Sequence, residues 1–561
     1  MTDILAGIQN DIKTVIDSAI TKARERGELN VNEIPDYIIE VPREKAHGDF
    51  ATNAAMLLPR QAKLPPGKIA EIIIANMDLT GTYVERVEAA GPGFINFYLN
   101  NEWLTDVIAV IEKEGNAYGR CDEGKGEKIN VEFVSANPTG PMHMGNARGA
   151  ALGDSLANLL EAVGYDVTRE FYINDAGNQI ENFGRSLEAR YLQLLGKDAE
   201  VPENGYHGED IIEHMRELIE SEGDKYLNVG EEERRAYFIK YALEKNLARM
   251  KKDLENFGVK FDIWFSEQKL YEEGHVEETI KMLKEKGLTY EKDGALWFKA
   301  SLFGAEKDEV LIRNNGVPTY FAADIAYHRN KFERGFVKAI DIWGADHHGH
   351  VPRMKGSMEA LGYDPDRLHI IIMQLVRLYR NGEIARMSKR TGRAVTLADL
   401  VDEVGKDAAR FFFNMRGADT HLDFDLDLAV SQSSDNPVFY VQYAHARISS
   451  ILRQVRENGI QVPEIKEAHL NLLGEESELA ILRKLADFPA EVLNSARKYE
   501  PHHLTRYALE LASLFHTFYN SCRVIGEDED LMGARLLLIK AVRQVLKNTL
   551  TLLGITAPER M

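Results

Sequence analysis

Residues 129–172 leave this chain few ways to fold. Residues 129–134 (INVEFV) alternate apolar and polar side chains and are rich in β formers. A turn punctuated by proline and glycine follows, Ala136-Asn137-Pro138-Thr139-Gly140-Pro141. Beyond it Ala147, Ala151, Leu152, Leu156, Leu159, Leu160 and Val163 recur at spacings of three and four, the period of an amphipathic helix. Asn146 stands where an N-cap belongs, and Gly164 where a helix ends in a left-handed residue. Residues 167–172 supply a second strand, so the stretch predicts a right-handed β-α-β crossover.

A strand running through such a turn into a helix N-terminus is a place to hold phosphate. Unpaired backbone N–H groups and the positive end of the helix dipole both point there. His143 and Asn146 add side-chain donors. An ordinary crossover with a polar surface histidine fits the same pattern. There is no Walker A lysine and no G-x-G-x-x-G, so neither a P-loop nor a dinucleotide site accounts for the turn.

The letters themselves say more. Residues 136–146, ANPTGPMHMGN, resemble the HIGH region of class I aminoacyl-tRNA synthetases. The lead-in Ser135-Ala136-Asn137-Pro138-Thr139-Gly140 has the form seen in arginyl-tRNA synthetases. That resemblance implies a class I, Rossmann-like, doubly wound parallel sheet with helical insertions. It also implies an N-terminal α+β domain and a C-terminal all-α bundle.

Composition sets bounds. The 561 residues suggest several domains, and 28% charged with 44% hydrophobic residues is ordinary for a globular protein. No apolar run is long enough to cross a membrane, and the N-terminus lacks a signal-peptide core, so a cytoplasmic location is expected. Two cysteines without a C-x-x-C exclude a disulfide framework or a cysteine zinc site; a loop and a core thiol are expected. The net charge of −21, 68 basic against 89 acidic residues, means that any nucleic acid must be met by local basic patches.

Along the chain, residues 1–115 predict a separate α+β domain. Leu5, Ile8, Ile12, Val15, Ile16 and Ile20 make a helical stripe, and Gly91-Pro92-Gly93 marks a hairpin between strands at 83–89 and 94–99. Asp49 in His47-Gly48-Asp49-Phe50-Ala51-Thr52-Asn53 reads as a helix cap. The same segment resembles a motif of the family's N-terminal domain, which contacts the outer corner of tRNA. Residues 116–400 are expected to form the catalytic domain, with a mostly helical insertion at about 180–300 that carries no chemical motif. Asp175 reads as a cap or a pocket wall. Strands at 295–302 and 310–313 are expected to resume the sheet.

Tyr320 and Asp324, four apart, share one face of a helix. Beside the HIGH-like match they resemble the family's arginine-pocket motif. A carboxylate beside an aromatic face suits a planar guanidinium with five donors. A strand at 338–343 ends in Gly344-Ala345-Asp346-His347-His348-Gly349-His350. This resembles the class I segment lining the adenosine pocket, with His347 beside the amino acid, and no metal site is expected from its histidines. Residues 368–379 read as one buried strand, and Asn381-Gly382 as a tight hairpin. From Arg377 to Arg393 six basic residues face one acid, Glu383, a local reversal that suits a polyanion. Arg386-Met387-Ser388-Lys389-Arg390 resembles the KMSKS loop. Arg386 and Arg390 replace its first lysine and last serine, as Asn146 replaces the second histidine of HIGH.

Residues 401–561 predict helices. Thr396 and Asp399 form a capping-box pattern, and Tyr440, Tyr443, Ala444 and Arg447 lie on a helix that resembles the arginyl anticodon-binding helix. The resemblance covers the whole chain. It implies ligation of L-arginine to tRNA with ATP as its magnesium complex, no tightly bound cofactor and no membrane partner; a monomer is expected. It assigns His143, Asn146 and Lys389 as catalytic. Pro138, Thr139, Gly140, Gly145, Gly344, Asp346, Met387 and Ser388 join them around ATP. Glu132, Ser135, Asn137, Tyr320, Asp324 and His347 would hold arginine. Two other readings share some features. A class I-like nucleotidyltransferase would use the turn and sheet but no arginine pocket. A non-catalytic tRNA-binding paralogue would keep the domains with eroded signatures, whereas His143, Gly145, Ser388 and Lys389 are intact.

Overall fold

A computed structural model describes residues 4–42, 44–385, 394–526 and 528–561. In the N-terminal part, β1 (Ile39–Glu40), β2 (Phe50–Thr52), β3 (Val84–Ala90) and β4 (Phe94–Leu99) form an antiparallel sheet of order β1-β2-β4-β3. The helix Ile4–Glu25 buries Ile8, Ile12, Ile16 and Ile20, four residues of the expected stripe. Asp49 caps no helix. Its carboxylate accepts the backbone N–H of Leu99 at 2.8 Å and so pins β4 at its end.

The centre is a parallel sheet of order β12-β11-β5-β6-β7, from β5 (Lys128–Glu132), β6 (Asp166–Ile173), β7 (Ile263–Ser266), β11 (Lys338–Gly344) and β12 (Leu368–Met373). The first of these strands in the chain lies in the middle. The chain winds outward to β6 and β7 on one side and to β11 and β12 on the other. The crevice beyond the carboxyl ends of β5 and β11 is therefore the switch point where doubly wound sheets bind ligands.

Three expectations about strands are corrected. The strand β7 lies inside the segment read as a helical insertion. Residues 295–302 and 310–313 do not rejoin the central sheet: β8 (Thr289–Lys292), β9 (Ala295–Phe298) and β10 (Glu309–Ile312) pair as a separate antiparallel sheet. The apolar run 368–379 is two strands. It breaks after β12, and β13 (Val376–Arg380) pairs with β14 (Glu383–Ile384) and, in parallel, with β15 (Leu422–Asp425). The Asn381-Gly382 hairpin forms as expected, with φ of +52° and +76°, which asparagine and glycine tolerate best.

The insertion's helices Asn178–Leu194, Glu209–Glu222 and Glu231–Asn256 share their own core around Phe183, Tyr191, Met215 and Phe238. The C-terminal part is a bundle of Pro437–Glu457, Glu476–Lys498, His502–Ser521 and Glu529–Leu552. The crossover helix Met144–Ala162 is held from both sides, against the sheet and against the Lys406–Phe413, Glu476–Lys498 and Glu529–Leu552 helices. Cys121 and Cys522 are both free, half-buried and packed against the main hydrophobic core; Cys522 ends the His502–Ser521 helix. No described helix is long and apolar enough to cross a membrane.

Candidate functional site

Beyond β5 the backbone turns sharply out of the sheet. Val134 and Ser135 have φ of +70° and +37°, a left-handed conformation that is costly for a β-branched residue and is typical of functional sites. Hydrogen bonds hold it there. The Ser135 hydroxyl donates to Glu132 Oε1 at 2.8 Å and accepts the N–H of Tyr172 at 3.1 Å. Pro138 offers its carbonyl to Asn246 Nδ2 at 2.9 Å, so the insertion braces the turn.

The helix starts at Met144 with His143 as its N-cap, three residues before the position expected of Asn146. Asn146 is instead the N3 member of a capping box, accepting the His143 N–H on Oδ1 at 3.1 Å. The His143 side chain is exposed and Asn146 is half-buried. His143 also bridges Thr396, and Met142 O accepts the N–H of Leu397 at 2.9 Å. Thr396 and Asp399 form the expected capping box. Thr396 and Leu397 are thus stitched to the turn. Arg386, Met387, Ser388, Lys389 and Arg390 lie outside the described residues.

Two adjoining cavities open at the strand ends. The larger, about 710 Å³, is lined by Tyr172, Glu267, Tyr271, Tyr320 and Asp324 among others. The smaller, about 190 Å³, reaches Glu132, Ser135 and Gly344. Asp324, His347, His350 and Tyr172 line both. Tyr320 begins the Tyr320–Glu333 helix, whose Thr319 N-cap accepts from Ala322, and Asp324 lies one turn on. Gly344 sits where a side chain would come within 2.5 Å of Asp346 Oδ1, and Asp346 is exposed and lines neither cavity. Asn137, expected among the arginine ligands, is exposed on the turn and lines neither cavity.

Beneath the pocket floor lies a buried cluster of charges. Lys331 Nζ donates to Glu132 Oε2 at 2.6 Å and Asp341 Oδ1 at 2.7 Å, and His328 Nε2 meets Asp341 Oδ2 at 2.7 Å. Burial raises the Glu132 carboxyl, against the pull of Lys331. Burial also resists charge on Asp341, but Lys331 and His328 prevail and hold it down to about 2. Glu132, His328 and Asp341 converge closely enough to suggest an ion site, but the Lys331 ammonium supplies the positive charge between the two carboxylates. The histidines after β11 diverge: His347 faces Asp346 at 3.4 Å, both exposed, while His350 is buried and turned to Asp324.

Sequence reasoning missed Glu267. It stands first after β7, in the wall of the larger cavity, and burial, then Asp324 and Asp175, push its carboxyl up to about 8. The run Phe261-Asp262-Ile263-Trp264-Phe265 was the available signal, a short aromatic and β-branched stretch with Glu267 two residues beyond it. Asp175 caps no helix of its own: it accepts from Ser266 Oγ at 2.6 Å and Gln268 N at 2.9 Å and so holds the Glu267–Glu272 turn.

On the Pro437–Glu457 helix, Tyr440 and Arg447 are half-buried and Tyr443 is 37% exposed. Arg447 donates to the Tyr443 hydroxyl and lies 4.4 Å from the Tyr519 ring centre, and Tyr443 and Tyr440 flank His516. Tyr443, Arg447, Arg453 and Tyr519 border a cavity of about 540 Å³. Ala444 is fully buried, so its side chain offers RNA no surface.

Comparison with known proteins agrees from end to end. The family described as "Arginyl tRNA synthetase N terminal domain" matches residues 10–99, "tRNA synthetases class I (R), catalytic domain" matches 107–419, and "DALR anticodon binding domain" matches 441–561. The arginine–tRNA ligases of Acetivibrio thermocellus and Caldanaerobacter subterraneus are each 60% identical over 100% of both chains. The arginyl-tRNA synthetase of Thermus thermophilus, at 22% identity, shares the fold with a TM-score of 0.72 over 98% of this chain and 100% of that one. A class I sheet with an acidic pocket at its switch point, carried on a chain matched along its whole length, leaves one assignment: the chain belongs to the arginyl-tRNA synthetase family of class I aminoacyl-tRNA synthetases.

Proposed function

We propose that this chain ligates L-arginine to its tRNA in two steps. The arginine carboxylate attacks the α-phosphorus of ATP, which enters as its magnesium complex, and pyrophosphate leaves. A hydroxyl of the tRNA 3′-terminal adenosine then attacks the arginyl carbonyl, and AMP leaves. No side chain becomes a covalent nucleophile; positioning and charge stabilisation lower the barrier. The observation that carries this reading is the acidic pocket at the strand ends, Asp324 beside Glu267, next to the turn of His143. A forked cation with a free carboxylate fits it, the guanidinium among the acids and the carboxylate toward the turn.

In this reading Asp324, Glu267 and Tyr320 take the guanidinium. Glu132, Ser135 and His347 take the α-amino end, with Asn137 at the turn. The His143 ring, the Asn146 amide and the helix N-terminus hold phosphate, with Pro138, Thr139, Gly140 and Gly145 shaping the turn and Gly344 and Asp346 facing the adenosine. Lys389, with Met387 and Ser388, stabilises the leaving pyrophosphate. Losing one such donor costs roughly 10²–10³-fold in rate. Tyr440, Tyr443 and Arg447 hold single-stranded anticodon bases by stacking, and residues 1–115 contact the outer corner of the tRNA. Residues 116–400 are the catalytic domain and 401–561 the anticodon-binding domain. The enzyme acts as a monomer in the cytoplasm.

Arginine-dependent ATP–pyrophosphate exchange, with and without tRNA, tests the proposal. Exchange that needs arginine, and is abolished in Asp324→Asn, is expected. A folded protein that shows no exchange in either condition would overturn it.

A further inference from the structure

Asp324 is not left to orient itself. Arg353 Nε donates to His350 Nδ1 at 2.6 Å. An arginine nitrogen only donates, so Nδ1 must carry the lone pair and the ring hydrogen must sit on Nε2. That hydrogen is aimed at Asp324 Oδ2, 3.1 Å away. Arg353 is held in turn: its Nη1 donates to Glu309 Oε1 at 2.7 Å, and its guanidinium lies 5.7 Å from the Phe321 ring centre. The His350 ring is boxed by Trp343 and Phe321, with centroids 5.4 and 5.7 Å away. Glu309 stands on β10, in the small antiparallel sheet, and lines neither cavity.

We propose that Glu309, Arg353 and His350 are a positioning relay that fixes the Asp324 carboxylate. The relay occupies Oδ2 and leaves Oδ1 to receive the guanidinium in one orientation. It gives the β8–β9–β10 sheet a task in amino-acid recognition although none of its strands reaches the substrate. Glu309 acts only through Arg353 and His350, whereas Arg353 and His350 themselves border the larger cavity. The inference rests on the reading of Asp324 as the guanidinium acceptor.

The test is steady-state aminoacylation by the full chain, with KM for arginine, KM for ATP and kcat measured separately. His350→Ala is expected to raise the KM for arginine about tenfold, as loss of one hydrogen bond to a charged group does, with the KM for ATP unmoved. Glu309→Ala and Arg353→Met are expected to shift it the same way by less. His350→Gln, which can still present a donor, is expected to recover most of the loss. The decisive comparison is His350→Ala/Glu309→Ala against His350→Ala alone: a residue acting through His350 adds nothing once His350 is gone. Additive effects, equal losses toward ATP, or no effect of Glu309→Ala would overturn the relay. Should His350→Ala fail to fold, His350→Gln and Glu309→Ala carry the test. Asp324→Asn separates the two claims. If it leaves the arginine KM unchanged, the pocket reading fails. If it raises that KM while the relay variants do not, the relay alone fails.

Discussion

The ammonium of Lys331 stands 2.6 Å from Oε2 of Glu132, wholly out of contact with water. It lies 2.7 Å from Asp341 as well, so one cation holds two buried carboxylates together, with His328 on the far side. Removing it strands like charges in the floor of the pocket. Lys331→Met is therefore expected to destabilise the protein by about 3–5 kcal/mol, the penalty for breaking a buried pair from one side. A thermal melt reads this directly, and Lys331→Met/Glu132→Gln should recover part of the loss. An unchanged melting temperature in the single variant would refute the account.

Glu267 should make arginine binding depend on pH. Its carboxyl is pushed up to about 8, first by burial and then by Asp324 and Asp175, so it is largely protonated in the empty pocket at neutral pH. A guanidinium favours the ionised form. Below the raised value binding must expel a proton, and affinity is expected to climb from about pH 6 to about 8 and then level. The same shift acts oppositely on the empty fold. Its stabilising contribution is complete below the ordinary value of 4.5 and is lost as pH rises through about 8. Calorimetric titration of arginine across this range, with Glu267→Gln as reference, checks the sign. A profile in the wild type as flat as in Glu267→Gln would refute it.

The crossover from β5 to β6, the Asn381-Gly382 hairpin and the Thr396–Asp399 capping box were legible because each rests on local chemistry: a helical period, a left-handed turn, a reciprocal cap. Asn146 was misplaced because asparagine serves equally at N-cap and at N3, and only the path of the turn decides. The strand β7 is four residues long and lies among helices, so its period had no room to show, and Glu267 behind it was hidden. The 368–379 run is uniformly apolar, and nothing in that pattern marks where one sheet hands over to another. Asp49 and Asp175 looked like caps because the backbone groups they bind, Leu99 and Gln268, are remote in sequence. Ala444 shares a helix with Tyr443, and one step along a helix turns a residue from surface to core.

Tyr443 offers a separable test of the proposed RNA-binding face. Its ring is stacked near His516 and its hydroxyl accepts from Arg447. If bases stack on it, Tyr443→Ala is expected to weaken tRNA binding by about 1–3 kcal/mol. Tyr443→Phe keeps the ring and should lose far less. Filter binding at one fixed salt concentration measures both, and equal losses in the two variants would mean the hydroxyl network matters and the stack does not.

The last expectation concerns how the Met144–Ala162 helix and the C-terminal bundle are joined. Arg410 is fully buried; its Nε donates to Leu553 O at 2.9 Å and its Nη2 to Asp154 Oδ2, on the Met144–Ala162 helix, at 2.5 Å. Ser155 and Asn158 of that helix donate to Leu553 O and Leu552 O. From there the chain runs on past Gln442, His445 and Arg453, which donate to the carbonyls of Thr556, Pro558 and Glu559. The segment after Leu552 is thus a strap from the Met144–Ala162 helix to the helix of Tyr443. Gly554 is its tightest point: φ is +67°, and a β-carbon there would lie 2.1 Å from Arg410 Nη2. The guanidinium cannot step aside without abandoning Asp154. Gly554→Ala is therefore expected to cost the strain of a left-handed alanine, about 1 kcal/mol or more, and in addition to loosen the joint. Its signature is a lower melting temperature together with a raised KM for both ATP and tRNA, although residue 554 borders neither site. A rise in only one of the two constants would show that the strap does not join them.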